Sequence, residues 1–131
     1  MTMPARVAVT AAHRAAVSRQ AAGMTENDLL CAVLDVLKVY GYRVAHFRPA
    51  RTSRGWRTPV EAEGKGYPDL TAVGRGRILA VELKSATGKV TPEQAAWLEA
   101  FSRCGAEVFV WRPADLAAIP TILSHSITRG A

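Results

Sequence analysis

The stretch from Gly66 to Ser85, GYPDLTAVGRGRILAVELKS, limits the possible folds most sharply, because it sets charged residues into an apolar strand pattern. Side chains in a strand alternate between faces, so Ile78, Ala80, Glu82 and Lys84 share one side and Leu79, Val81 and Leu83 the other. The second set is wholly apolar and belongs in a core. Gly-Arg-Gly at 74–76 suits a hairpin turn, since glycine tolerates positive φ, and Tyr67 to Val73 and Ile78 to Lys84 read as its two strands. With a loop from Gly74 to Arg77, Val73 pairs with Ile78 and the ladder sets Asp69 opposite Glu82, their Cβ atoms about 5 Å apart. Facing carboxylates repel unless a cation lies between them or one keeps its proton. A divalent metal resolves the conflict, because Asp and Glu oxygens are hard ligands and Mg²⁺ commonly takes one or two carboxylates with waters and a phosphate oxygen. Lys84, one step along the same face, could hold such a phosphate or favour deprotonation of an attacking water. An exposed ion pair on an amphipathic strand is the plainer alternative, but it leaves Asp69 unexplained.

The other elements follow from caps and periodicity. Thr25-Glu26-Asn27-Asp28 offers a helix N-terminus, and Leu30, Val33, Leu34 and Leu37 recur at helical spacing up to about Tyr40 and Gly41. Glu26 precedes Leu29, Leu30 and Val33 by three, four and seven residues, which sets it over the buried stripe; complementing the helix dipole is the simpler role for it. Tyr42 to Phe47 reads as a strand, followed by a loop punctuated by Pro49, Gly55 and Pro59. A second helix begins at Thr91-Pro92-Glu93-Gln94, with Thr91 as cap, Trp97, Leu98 and Phe101 as apolar face, and Gly105 as its end. Glu107 to Trp111 makes a final strand, and Ala114 to about Leu123 a C-terminal helix. The order suits a mixed β-sheet flanked by helices.

With 131 residues, 49% of them hydrophobic, one compact core is expected. Residues 1–24 read as a flexible basic tail and 25–131 as the folded domain. The tail has no Asp or Glu before Gly23, is rich in Ala and carries Arg6, Arg14 and Arg19; the composition is like that of a transit peptide, but a mobile tail is the preferred reading. The longest apolar run, Leu29 to Leu34, is far below the roughly 18 residues that span a bilayer, so a soluble protein without a membrane partner is expected. Cys31 and Cys104 lack metal or disulfide spacing and read as structural, and the isolated His13, His46 and His125 receive no role. The net charge of +6 favours polyanionic partners, and Arg48, Arg51, Arg54, Arg57 and Lys65 gather around Trp56 as candidate DNA-binding residues. A solvated loop is the competing reading of that segment.

Pro68-Asp69-Leu70, then Glu82-Leu83-Lys84 beyond a hairpin, then the helix opening Thr91-Pro92-Glu93-Gln94, together resemble the PD-(D/E)XK nuclease superfamily, and within it the VRR-NUC (virus-type replication-repair nuclease) family. The combination is specific, although P-D or E-x-K alone is not, and it spans roughly Glu26 to Trp111. The resemblance implies an α/β, restriction-endonuclease-like core in α-β-β-β-α-β order plus the C-terminal helix. It implies that Asp69 and Glu82 ligate Mg²⁺ or Mn²⁺ with the Leu83 carbonyl, that Lys84 is the catalytic lysine, and that Glu26 is the first-helix acid of the metal's shell. Gln94 is similar to the family's catalytic glutamine, although a cap is a sufficient role for it, and Lys65-Gly66 match a K-G preceding the aspartate.

The expected function is a metal-dependent DNA endonuclease, structure-selective on branched DNA in the manner of a Holliday junction resolvase. It would act in phage or bacterial replication, recombination or repair, in the cytoplasm of a bacterium or bacterial host. No helix-turn-helix or zinc-finger spacing is present, so DNA shape is the expected determinant. A nick, end or flap nuclease is the alternative among enzymes, and a non-catalytic nucleic-acid-binding module the alternative outside them. Resolving a four-way junction needs two opposed cuts and therefore a homodimer, for which Trp97, Trp111, Leu116, Ile119 and Ile122 offer apolar surface.

Overall fold

The computed structural model describes residues 23–47, 50–52, 55–57 and 61–129; the expected tail up to residue 22, and Arg48 and Arg54 of the basic segment, lie outside the described residues. Helix α1 spans Glu26–Val39. The Thr25 hydroxyl accepts from the Asp28 amide at 3.1 Å while the Asp28 carboxylate accepts from the Thr25 amide at 3.2 Å, a reciprocal cap that satisfies two donors of the first turn. Leu29, Leu30, Val33 and Leu37 form its buried stripe.

Strands β1 (Arg43–His46), β4 (Leu70–Gly74), β5 (Arg77–Leu83) and β6 (Glu107–Trp111) form one sheet in the order β1-β4-β5-β6. The first two pairings are antiparallel and β5 pairs β6 in parallel, so the sheet is mixed, as expected. Val73 pairs with Ile78, but Gly74 also pairs with Arg77, which shortens the turn to Arg75-Gly76. Both turn residues have positive φ, 53° and 75°, the geometry of a tight hairpin whose twist matches its strands. The Ile127 amide donates to the Arg75 carbonyl at 2.7 Å, and a Cβ at residue 76 would fall 1.8 Å from the Ile127 carbonyl oxygen, so only glycine fits beside the C-terminal segment.

Within the basic segment the sequence reading of a continuous loop needs correction. Ala50–Thr52 (β2) and Gly55–Arg57 (β3) pair antiparallel as a separate two-stranded ribbon, with Arg51 opposite Trp56. The segment lacks apolar alternation, the signal that marks strands with a buried face.

Helix α2 (Pro92–Arg103) connects β5 to β6 and packs chiefly against those two strands. The single expected C-terminal helix is instead a 3₁₀ turn at Pro113–Asp115 and a short helix α3 at Ile119–Ser124. Pro120 explains the break: it donates no amide hydrogen and its ring clashes with the preceding turn, so it sits in the first turn of a new helix. The main core lies between the sheet and the α1–α3 layer, where Leu29, Val33, Leu37, Leu79, Val81 and Leu83 meet Ile119 and Leu123. Trp111 and Ile119 are buried in this core, and Leu116 and Ile122 pack against it, so they do not supply the free interface surface expected of them. Among the described residues, the exposed large apolar side chains are Val39, Phe47, Val73, Ile78 and Ile127. Among the described residues no helix is long and apolar enough to cross a membrane.

Candidate active site

The strand alternation read from the sequence holds: Leu79, Val81 and Leu83 face the main core, and Ala80 and Glu82 lie on the α2 side. Glu82 is only 2% exposed, so the surface ion pair considered for this face is not what the chain builds. Asp69 stands one residue before β4. Its Oδ2 accepts from the Leu83 amide at 2.8 Å, which ties the aspartate to the end of β5 next to Glu82. His46 Nδ1 lies 2.8 Å from the Asp69 carbonyl oxygen; since a carbonyl only accepts, Nδ1 carries the hydrogen.

Glu82 Oε1 accepts from Gln94 Nε2 at 2.9 Å, and Lys84 Nζ lies 3.7 Å from the same oxygen. Oε2 is buried without a well-formed hydrogen bond to any protein group, and the neighbouring Asp69 acts on Glu82 in both senses, its carboxylate raising the carboxyl and its backbone lowering it. Burial, followed by the contact with Asp69, pushes the Glu82 carboxyl up to about 8 against the opposing pull of Lys84. Lys84 directs a side chain only 13% exposed toward this group while its amide donates to the Trp111 carbonyl at 2.9 Å.

Gln94 resolves an ambiguity of the sequence because its two amide ends do different things. Its oxygen accepts from the Thr91 amide at 2.9 Å and closes the cap of α2, while its nitrogen holds Glu82. The segment before Asp69 is pressed against this helix. Gly66 has φ +84°, and a Cβ there would come within 2.6 Å of the Glu93 carbonyl carbon. Trp97 Nε1 donates to the Glu63 and Lys65 carbonyls at 3.0 and 3.2 Å.

Glu26 and Lys65 are not brought into this pair. Glu26 is exposed in the first turn of α1. Among the described residues no three His, Cys, Asp or Glu side chains come together, so Asp69 and Glu82 form a pair without it. Lys65 is exposed and 3.5 Å from Glu93. Arg51, Trp56 and Arg57 contribute backbone to the ribbon. Cys31 and Cys104 are free and exposed. Two contacts had no counterpart in the sequence reading. His46 pairs with Leu70 across β1 and β4, which register extended from the hairpin could have revealed. Arg112 Nη1 donates to the Ser85 and Gly88 carbonyls at 2.8 and 2.7 Å and holds the loop after Lys84, a contact between distant segments with no local signal.

The profile of the VRR-NUC domain matches residues 32–115. The chain belongs to the VRR-NUC family. No curated protein matches it. The matched VRR-NUC span contains Asp69, Glu82, Leu83, Lys84 and Gln94 and begins after Glu26. Membership implies a nuclease of the PD-(D/E)XK type and a requirement for metal. The donor set suits a hard divalent cation: two adjacent carboxylates, one with a buried oxygen that no protein group satisfies.

Proposed function

We propose that this VRR-NUC domain hydrolyses phosphodiester bonds in DNA, using Mg²⁺ or Mn²⁺ held by Asp69, Glu82 and the Leu83 carbonyl. The observation that carries this reading is the buried, unsatisfied Oε2 of Glu82 beside Asp69. When bound, the cation activates water and offsets charge on the scissile phosphate. The Leu83 amide fixes the Asp69 carboxylate, and Gln94 fixes Glu82 by one oxygen so that the other remains available. Lys84 supplies a positive charge from a largely buried position, where a phosphate oxygen gaining charge is stabilised more than in water. Arg48, Arg51, Arg54, Arg57 and Lys65, with Trp56, bind the DNA backbone and an adjacent base. Glu26 acts on the α1 dipole.

Branched DNA is the preferred substrate, with a four-way junction cut by a homodimer during replication, recombination or repair in a phage-infected or bacterial cell. The nick, end or flap reading gains from one observation: the core takes up Trp111 and Ile119 of the expected dimer surface. Incubation with Mg²⁺ or Mn²⁺ and linear, nicked, flapped and four-way DNA, with sedimentation of the complexes, separates these readings. Fastest cleavage of the junction by a particle of two chains is expected. A monomer that cuts nicks or flaps faster selects the second reading, and binding without cleavage of any DNA selects a non-catalytic module.

A further inference from the structure

Phe47 is 46% exposed, yet its ring is held. It meets Tyr67 edge-on with ring centres 5.8 Å apart, and Tyr67 meets Trp97 at 5.0 Å and Phe101 at 6.0 Å. Trp97 is anchored by its indole bonds to the Glu63 and Lys65 carbonyls. Phe47 is therefore the outermost ring of a braced cluster, supported on one side and open to solvent on the other.

Its position ties it to the carboxylate pair. Phe47 follows His46, whose ring contacts the Asp69 carbonyl, and Tyr67 lies two residues before Asp69. Helix α2 covers mainly β5 and β6, while Arg43, Ala45 and Val73 on the β1–β4 half of the sheet are exposed. Immediately after Phe47 the chain enters the segment carrying Arg48, Arg51, Arg54 and Arg57. A protein partner would meet an apolar ring followed directly in the sequence by four arginines within eleven residues, whereas the centres of protein interfaces are depleted in charge. A nucleic acid supplies both complements, phosphate for the cations and a base for the ring.

We infer that Phe47 is a stacking platform for an unpaired base of the DNA strand being cut, within one or two nucleotides of the scissile phosphate. This selects DNA in which that base is already out of the duplex, as at a flap, a fork or an opened junction centre. Extruding a paired base opposes the gain from stacking, and an unpaired base retains that gain in full. The inference rests on the nuclease reading and adds the state of the base at the cut.

The test uses the full chain and two DNAs of one sequence, one fully paired and one with the nucleotide beside the mapped cut unpaired. Phe47→Ala and Phe47→Leu should each lower the unpaired-to-paired ratio of kcat/KM by about five- to hundredfold, mostly through KM, while Phe47→Trp keeps it. Leucine fills the space but has no aromatic face, so a ratio retained by Phe47→Leu would overturn the proposal, as would equal loss on both DNAs. 2-Aminopurine at the unpaired position should be quenched on binding to the unaltered chain and less so with Phe47→Leu, at matched thermal stability. If no DNA is cut, the nuclease reading fails on its own. The quench then still decides whether Phe47 stacks on a base, and equal quenching by Phe47→Leu, or no DNA binding, overturns the inference.

Discussion

Glu82 concentrates the electrostatic cost of the site in one side chain. Its carboxyl is raised from 4.5 to about 8, first by burial and then by Asp69, so without a cation the folded chain holds a proton that the unfolded chain releases above its ordinary value. The stabilisation from that proton is complete below about pH 4.5 and is lost as pH rises through about 8. A cation at the carboxylates competes with the same proton. Calorimetry of Mg²⁺ uptake near neutral pH, in two buffers of different ionisation enthalpy, should show release of close to one proton per site, fading above about pH 9. Glu82→Gln should abolish that release; uptake by the unaltered chain without proton release would contradict the assignment. Alternation in Ile78 to Lys84 was enough to put Glu82 and Asp69 side by side, but not to show that Glu82 is buried. That depends on α2 closing over it, a contact between elements that strand periodicity does not encode. The same gap left Gln94 divided between cap and site, roles that prove compatible once both ends of its amide are placed.

At the scale of elements, the geometry depends on how closely the chain before β4 approaches the first turn of α2. Gly66 makes that approach possible, and Gly105 provides a control, since it has φ +87° with no atom within 4 Å of its absent Cβ. Gly105→Ala should cost about 1–2 kcal/mol for the left-handed backbone alone. Gly66→Ala should cost at least about 1 kcal/mol more from overlap with Glu93, and should slow DNA cleavage by a larger factor because Gln94 moves with that turn. Denaturant unfolding and cleavage rates of the two variants check this, and equal effects would contradict it. Helices α1 and α2 were legible almost to the residue because Thr25 and Thr91 each make a capping box. The β2–β3 ribbon was not, because nothing in its sequence alternates toward a core, and α3 began late because Pro120 excludes a continuous helix.

Across the whole molecule, β5 carries a buried ionisable side chain near each end, and the two are treated differently. Arg77 makes a bidentate pair with Glu107 at 2.6 and 2.8 Å, meets the Tyr42 hydroxyl, and donates to the Ile122 and His125 carbonyls, which fastens the C-terminal segment to the sheet. Five residues along, about 17 Å in an extended strand, Glu82 keeps one oxygen without a donor. Full satisfaction at one end stabilises the fold; the deficit at the other leaves a position for a cation. The order of elements was readable because each amphipathic face has its own period. The fate of Trp111 and Ile119 was not, since apolar residues of this kind serve a core and an interface alike. Metal-dependent DNA cleavage by Asp69→Asn, compared with the unaltered chain at equal thermal stability, tests the central claim most directly. The account predicts cleavage in Mg²⁺ or Mn²⁺ that stops on chelation and falls at least about hundredfold in Asp69→Asn, as also in Glu82→Gln and Lys84→Ala. A folded Asp69→Asn chain that cuts DNA at the unaltered rate would contradict it.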